Sequence, residues 1–289
     1  MMKKMTTLLL ALMFSVASLY GQVSSKSLLW EISGNGLEKS SYLYGTFHLL
    51  CPDDLQIKDK VKNAVGASEQ LVLELDFDDP SVMQTIQQSM AYSDGTTAKD
   101  YLNKSEYELV AGFFRDSLQL PFERLHAIKP FFLSSMTLIQ FAGCQPVSFE
   151  QKLTSMAKQE GIDITGLETV GEQMGFIEDI PMKMQKKMLL ENLQHYDSSR
   201  VMFHKMMDCY LREDLPGLNA ISQESFVDEE YVDFRENLLI SRNKDWVPKI
   251  EQVVREKACF IAVGAAHLPG REGVIDLLRK KGYRVEPVH

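Results

Sequence analysis

Apolar positions fall into short unbroken runs near the two ends of the chain and into helical spacing through its middle. Leu28-Leu29-Trp30-Glu31-Ile32 and Tyr42-Leu43-Tyr44 flank Ser33-Gly34-Asn35-Gly36, whose glycines and asparagine supply the positive-φ positions of a hairpin. Asp59 to Ala67 carries helical spacing, and Gln70 to Asp76 is an apolar run suited to a central strand. Strand, helix and strand in that order are the βαβ pattern of an α/β sheet. From Ser81 to about Gly143 the apolar residues recur at helical spacing, with Pro80, Pro121 and Pro130 at the expected helix boundaries. Phe149 to Gln159 predicts another helix, and Ile162 to Glu168 a strand that delivers a carboxylate.

A second helical block follows from about Pro181 to Glu256, after which the pattern reverts to strand (Cys259 to Val263), helix (Arg271 to Lys281) and strand (Tyr283 to Pro287). Sheet elements at both ends around helical blocks imply one sheet assembled from distant segments. The expected fold is therefore mixed α/β (α+β): a central mixed sheet built from N- and C-terminal segments, flanked by helices, with large helical insertions at about 81–143 and 181–256. No composition-shifted linker or low-complexity tract interrupts it.

The N-terminus has a separate character. Lys3 and Lys4 precede an apolar run from Leu8 to Leu19 and then Tyr20-Gly21-Gln22, the basic, apolar and small-residue order of a secretory signal. The run is short for a membrane span, which needs about 20 apolar residues. Residues 1–21 are therefore expected to be removed and 22–289 to be exported, periplasmic or secreted, with no membrane span after signal removal. Net charge is −9, and losing Lys3 and Lys4 makes it −11. Such a surface repels phosphate backbones, so nucleic acid is not an expected partner. Cys51, Cys144, Cys209 and Cys259 form no Cys-x-x-Cys pair, which excludes zinc-ribbon and thioredoxin-like motifs. An oxidising compartment would permit bridges among them. Cys259, opening an apolar run, reads as a buried small hydrophobe.

Candidate chemistry gathers at the strand ends. Gly45-Thr46-Phe47-His48 follows the strand ending at Tyr44, and Gly264-Ala265-Ala266-His267 follows the run Cys259 to Val263. A glycine three residues before each imidazole allows close approach of backbone or ligand. Two imidazoles with one or two carboxylates are a standard donor set for a catalytic divalent ion, so His48 and His267 are the first candidates for metal ligands. A hydrogen-bonded cap at each strand end is the other reading. Glu74 lies within Leu71-Val72-Leu73-Glu74-Leu75-Asp76, where an unpaired charge would cost several kcal/mol. It is a candidate ligand or general base, with Asp76 on the same face as a second ligand or supporting group; a structural ion pair is the alternative. Glu168 is a candidate ligand or proton-transfer group, or else a carboxylate at a helix N-terminus. Arg242 could clamp a substrate carboxylate or a developing oxyanion, or form a salt bridge. His126, His195 and His204 have no ligand spacing, and no His-Glu-x-x-His helix is present.

The ordered set formed by Tyr42 to His48, Leu71 to Asp76, Gly166-Leu167-Glu168-Thr169 with Gln173, Arg242-Asn243, Val263 to Gly270 and Gly282 to Val285 resembles the TraB/GumN family, whose animal relatives are the Tiki metalloproteases. The resemblance runs from about Leu28 to Val288. It implies a hydrolase dependent on a divalent metal (Mn, Co or Zn, with Mn or Co favoured), with both histidines and acidic residues at its centre. Gly45, Gly264, Gln173 and Asn243 would support that centre, and a peptide or protein would be the substrate. Two other readings stay open. One is a non-catalytic periplasmic protein that binds a metal or haem; the other is a chaperone-like module whose Met- and Phe-rich insertion holds partner chains.

Overall fold

The computed structural model describes residues 26–225 and 231–289. The expected signal segment, 1–21, lies outside them. Six strands form the sheet: β1 (Leu29–Ser33), β2 (Ser41–Thr46), β3 (Gln70–Leu73), β4 (Asp163–Gly166), β5 (Cys259–Gly264) and β6 (Arg284–Pro287). Their spatial order is β4-β3-β5-β2-β1-β6. β2, β5, β3 and β4 pair in parallel, whereas β1 is antiparallel to both β2 and β6. The mixed α/β architecture read from the chain is the one observed, and the sheet is indeed assembled from distant segments.

Local chemistry accounts for the elements. The β1–β2 hairpin turns through Gly34, Asn35 and Gly36, all at positive φ. β5 is buried along its whole length, as expected of a strand in the middle of a parallel sheet with both faces covered. Its neighbours supply the rest of the main core with Leu43, Leu71, Val72 and Leu73, joined by Leu153, Trp246, Ile250 and Leu278 from surrounding helices.

The helices between the strands are α1 (Asp59–Gly66), α2 (Pro80–Ser89), α3 (Ala98–Tyr101), α4 (Lys104–Leu118), α5 (Pro130–Ala142), α6 (Phe149–Glu160), α7 (Val170–Glu178), α8 (Met182–Gln194), α9 (Tyr196–Leu211), α10 (Leu215–Ser225), α11 (Val232–Arg235), α12 (Arg242–Glu256) and α13 (Val274–Lys280). α6 packs against β3 and β4, and α13 against β6. The first insertion has a core of its own, where Val110, Phe114, Phe122 and Leu133 meet Leu189 and Leu193 of α8. The insertion's aromatics are thus largely spent on packing. Among the described residues no helix is long and apolar enough to cross a membrane.

Three details set up the site. Glu236–Ser241 is a π-helical stretch leading directly into Arg242 at the start of α12, a wide turn of the kind that often accompanies functional positions. Thr169 caps α7 in a reciprocal capping box with Glu172, fixing the chain just after Glu168. Cys51 and Cys144 form a disulfide, while Cys209 and Cys259 are buried free thiols.

Candidate functional site

The parallel strands β2, β3, β4 and β5 all end on the same side of the sheet, and the residues just beyond those ends form one polar cluster. Pairing of Thr46 with Gly264 brings the exits of β2 and β5 together, so His48 and His267 meet although they come from opposite ends of the chain. β3 stops at Leu73 and β4 at Gly166, shorter than the alternation predicted. Glu74 and Glu168 therefore leave from strand exits, tied to each other by a Glu168 N–H donated to the Glu74 carbonyl at 3.0 Å. With the strand ended, the expected alternation no longer governs Asp76. It stays outside the cluster, and its Oδ1 accepts the Asp78 N–H at 3.0 Å.

The two motif glycines do different work. A Cβ on Gly45 would lie 2.9 Å from Leu268 Cδ1 and 3.0 Å from Ala265 Cα, so its bareness lets the turn after β5 pack on β2. A Cβ on Gly264 would point into the site itself. It would stand 3.4 Å from Glu74 Oε1, 3.5 Å from His267 Cδ2 and 3.5 Å from His48 Nε2. The two imidazoles and Glu74 thus converge on one small space over the Gly264 backbone.

Arg242 organises the buried side of that space. Its Nη2 donates to Glu74 Oε2 and to Glu168 Oε1, both at 2.6 Å, and its Nε donates to Glu168 Oε2 at 3.2 Å. Nη1 donates to the Leu238 carbonyl at 3.1 Å and faces His267 Nε2 at 3.3 Å. Trp246 lies under both partners, with its ring centroid 4.6 Å from the guanidinium carbon and 4.5 Å from the His267 ring, and its Nε1 donates to Glu168 Oε2 at 3.0 Å. Gln173 donates to Glu168 Oε1 at 2.9 Å and lies 3.5 Å from Glu74 Oε2. The guanidinium offsets the cost of burying the two carboxyl groups beside it. With all three of its nitrogens engaged inside the protein, Arg242 ties Glu74, Glu168 and the Leu238 carbonyl together.

Each imidazole has a partner on Nδ1. His267 donates from Nδ1 to Asn243 Oδ1 at 2.7 Å, and Asn243 in turn donates to the Glu272 carbonyl at 2.8 Å. This leaves the His267 Nε2 lone pair toward Arg242, and burial, with Arg242 beside it, pushes the pKa of His267 down to about 3. His267 is therefore neutral. Glu74 is ionised: burial alone would raise its pKa, but Arg242, the two imidazoles and the Gly264 N–H, which it binds at 2.7 Å, outweigh that and hold it at about 2.

His48 pairs with a residue the sequence did not single out. Its Nδ1 lies 2.8 Å from Oε1 of Glu150, in the first turn of α6. Thr46 Oγ1 also donates to Glu150 Oε1 at 2.6 Å, and Ser148 Oγ to Oε2 at 2.7 Å, while Ser148 caps the same helix by accepting the Gln151 N–H. Burial disfavours the charged form of either partner, but each charge more than compensates the other: Glu150 is held at about 2 and the pKa of His48 is raised. The His48 side chain is 62% exposed, so water tempers the upward shift. That exposure also separates His48 from the rest. His267, Glu150, Arg242, Glu168 and Glu74 are 4 to 8% exposed, leaving His48 as the ionisable member of the cluster most open to solvent. Trp246 is the other residue that was missed; a lone tryptophan at helical spacing reads as plain core.

The donor types match a divalent ion in kind: two imidazoles with partnered Nδ1 atoms and a carboxylate between them. Among the described residues no three His, Cys, Asp or Glu side chains are grouped to hold an ion. Arg242 stands beside those donors: its guanidinium takes Glu74 Oε2 and both oxygens of Glu168 and faces His267 Nε2.

The polar cluster lies on the exits of the parallel strands, the end at which ligands of open α/β sheets bind. The profile of the TraB/PrgY/gumN family matches residues 28–287, and the chain belongs to that family. No curated protein and no solved structure matches it.

Proposed function

We propose that this chain is an exported hydrolase, with peptide or protein substrates, whose reaction centre is the space over Gly264. The observation that carries the reading is the placement of His48 Nε2 there, together with Glu74 Oε1, with Glu150 bound to the ring's other nitrogen, Nδ1. An imidazole oriented by a buried carboxylate is a general base. In its neutral form His48 takes the proton of an attacking water at Nε2, Glu150 stabilises the imidazolium that forms, and the same proton passes to the leaving group. His267, Glu74 and Glu168 give the space a fixed, polar wall.

Dependence on Mn, Co or Zn belongs to the same reading through the family, and no step is assigned to an ion. The test is cleavage of a peptide library by the mature protein, purified without chelator and assayed with EDTA and with each ion added back. Cleavage by wild type, absent in His48→Ala, supports the proposal; the EDTA and add-back arms decide the metal requirement. Cleavage at the same rate by both proteins overturns it. Tight binding of an ion or of haem with no cleavage would replace it with the binding-protein reading.

A further inference from the structure

β2 ends at Thr46, and from Phe47 to Lys58 the chain has no helix or strand, so His48 sits two residues beyond the last sheet hydrogen bond on a stretch of turns. Its partner Glu150 belongs to α6, reached after the left-handed cap at Gly143 that ends α5. Two further links join these segments close by. Leu50 and Val147 form an isolated antiparallel bridge, with N–H to carbonyl distances of 3.4 and 2.8 Å, and Cys51 is bonded to Cys144 with Cα atoms 5.8 Å apart. The order is regular: histidine, backbone bridge and cystine run along one segment, and glutamate, backbone bridge and cystine run back along the other.

We propose that the Cys51–Cys144 disulfide is a positioning element for His48, a covalent clamp that keeps the imidazole on Glu150 and its Nε2 over Gly264. The sheet ladder secures one side of His48 and the cystine the other. An exposed side chain on irregular backbone otherwise keeps its rotamer and backbone freedom, and ordering it opposes that freedom residue by residue. The bridge closes a sequence separation of 93, so its loss frees the two segments from each other wherever the Leu50–Val147 pair opens. Neither cysteine touches the reacting atoms. Their part is to hold the residue that does.

The kinetic arm of the test rests on the proposed hydrolase, and the spectroscopic arm does not. In the full mature protein, the Nδ1–H resonance of His48, assigned by its absence in His48→Gln, is followed by NMR in wild type, in the double variant Cys51→Ser/Cys144→Ser, and in Leu189→Ala, a core truncation in the helical insertion. The clamp predicts that the resonance exchanges away in the double serine variant and persists in Leu189→Ala at matched loss of Tm, and that kcat falls by about 10- to 100-fold with KM unchanged, the usual scale for an outer-shell partner. If the double variant does not fold, mild treatment of folded wild type with a dithiol replaces it; two electrons convert the cystine to two thiols and the reagent to its own disulfide. A retained resonance after bond loss shows that the Leu50–Val147 pair suffices and overturns the proposal. Loss of the resonance with unchanged turnover supports the clamp and counts against His48 as the hydrolytic group.

Discussion

Nδ1 of His48 meets Oε1 of Glu150 at 2.8 Å across 102 positions of sequence, and this contact turns a strand-exit histidine into a group of defined orientation. The carboxylate is buried and satisfied by Thr46 and Ser148, so the imidazole is the one partner able to move.

Glu150→Gln removes the charge that raises the pKa of His48 and keeps the shape of the side chain. The acid limb of the pH profile of kcat/KM should therefore move to lower pH, because a base with a lower pKa sheds its proton earlier. Turnover at the plateau should drop by about 10- to 100-fold. An unshifted limb would mean that His48 does not set the profile.

Arg242→Met leaves Glu74 and Glu168 buried without their cation. Breaking a buried pair in this way costs about 3–5 kcal/mol, which urea denaturation at pH 7 reads directly. Arg242→Lys should recover only part of the loss, since an ammonium cannot reach Glu74, Glu168 and the Leu238 carbonyl together. The Trp246 contact to the guanidinium would also be weakened.

The two glycines offer a paired test. Gly264→Ala places a methyl 3.4 to 3.5 Å from Glu74, His267 and His48, in ordinary contact, so folding stability should change little while activity is lost because the reaction space is filled. Gly45→Ala drives a methyl against Leu268 and the Ala265 backbone at 2.9 to 3.0 Å, and overpacking of that kind costs about 1–3 kcal/mol. Thermal melts and turnover measured on both proteins should separate the two effects.

Stability should rise with pH across the acid range. Glu74 and Glu150 are held at about 2 against the ordinary 4.5, so their contribution is complete above pH 4.5 and is lost as pH falls toward 2. His267, at about 3 in the fold and 6.5 when unfolded, acts in the same direction between those values, because the unfolded chain binds its proton first. His48 has the opposite sign: its raised pKa adds stability that is present below pH 6.5 and fades as pH rises above it. Urea midpoints between pH 3 and 7 should climb, and Glu74→Gln should flatten the rise over that range by roughly 2 kcal/mol.

Most of the architecture was legible because period-2 and period-3.6 patterns are local, and the glycines at 34 and 36 mark the hairpin without ambiguity. His48, His267 and Glu168 could be placed at or beyond strand ends from the apolar runs before them, whereas Glu74 was read inside its strand, which stops at Leu73. Glu150 was not legible, since a glutamate in the first turn of a helix beside Phe149 looks like an ordinary partner of the helix dipole. Its burial comes from packing α6 on the sheet, which no local pattern records. Arg242 carried two readings, a substrate clamp and a salt bridge, and the two carboxylates that three-dimensional closure puts around it were not visible in either. The Cys51–Cys144 pairing was equally hidden, because four cysteines permit three connectivities and spacing does not choose among them.

The most direct measurement of His48 as the solvent-facing base is kcat/KM of wild type and His48→Ala on one cleaved peptide, with folding of the variant confirmed by its melt. A general base contributes about 10²- to 10⁴-fold, and a loss of that size is the predicted result. Equal rates in the two folded proteins would contradict the account.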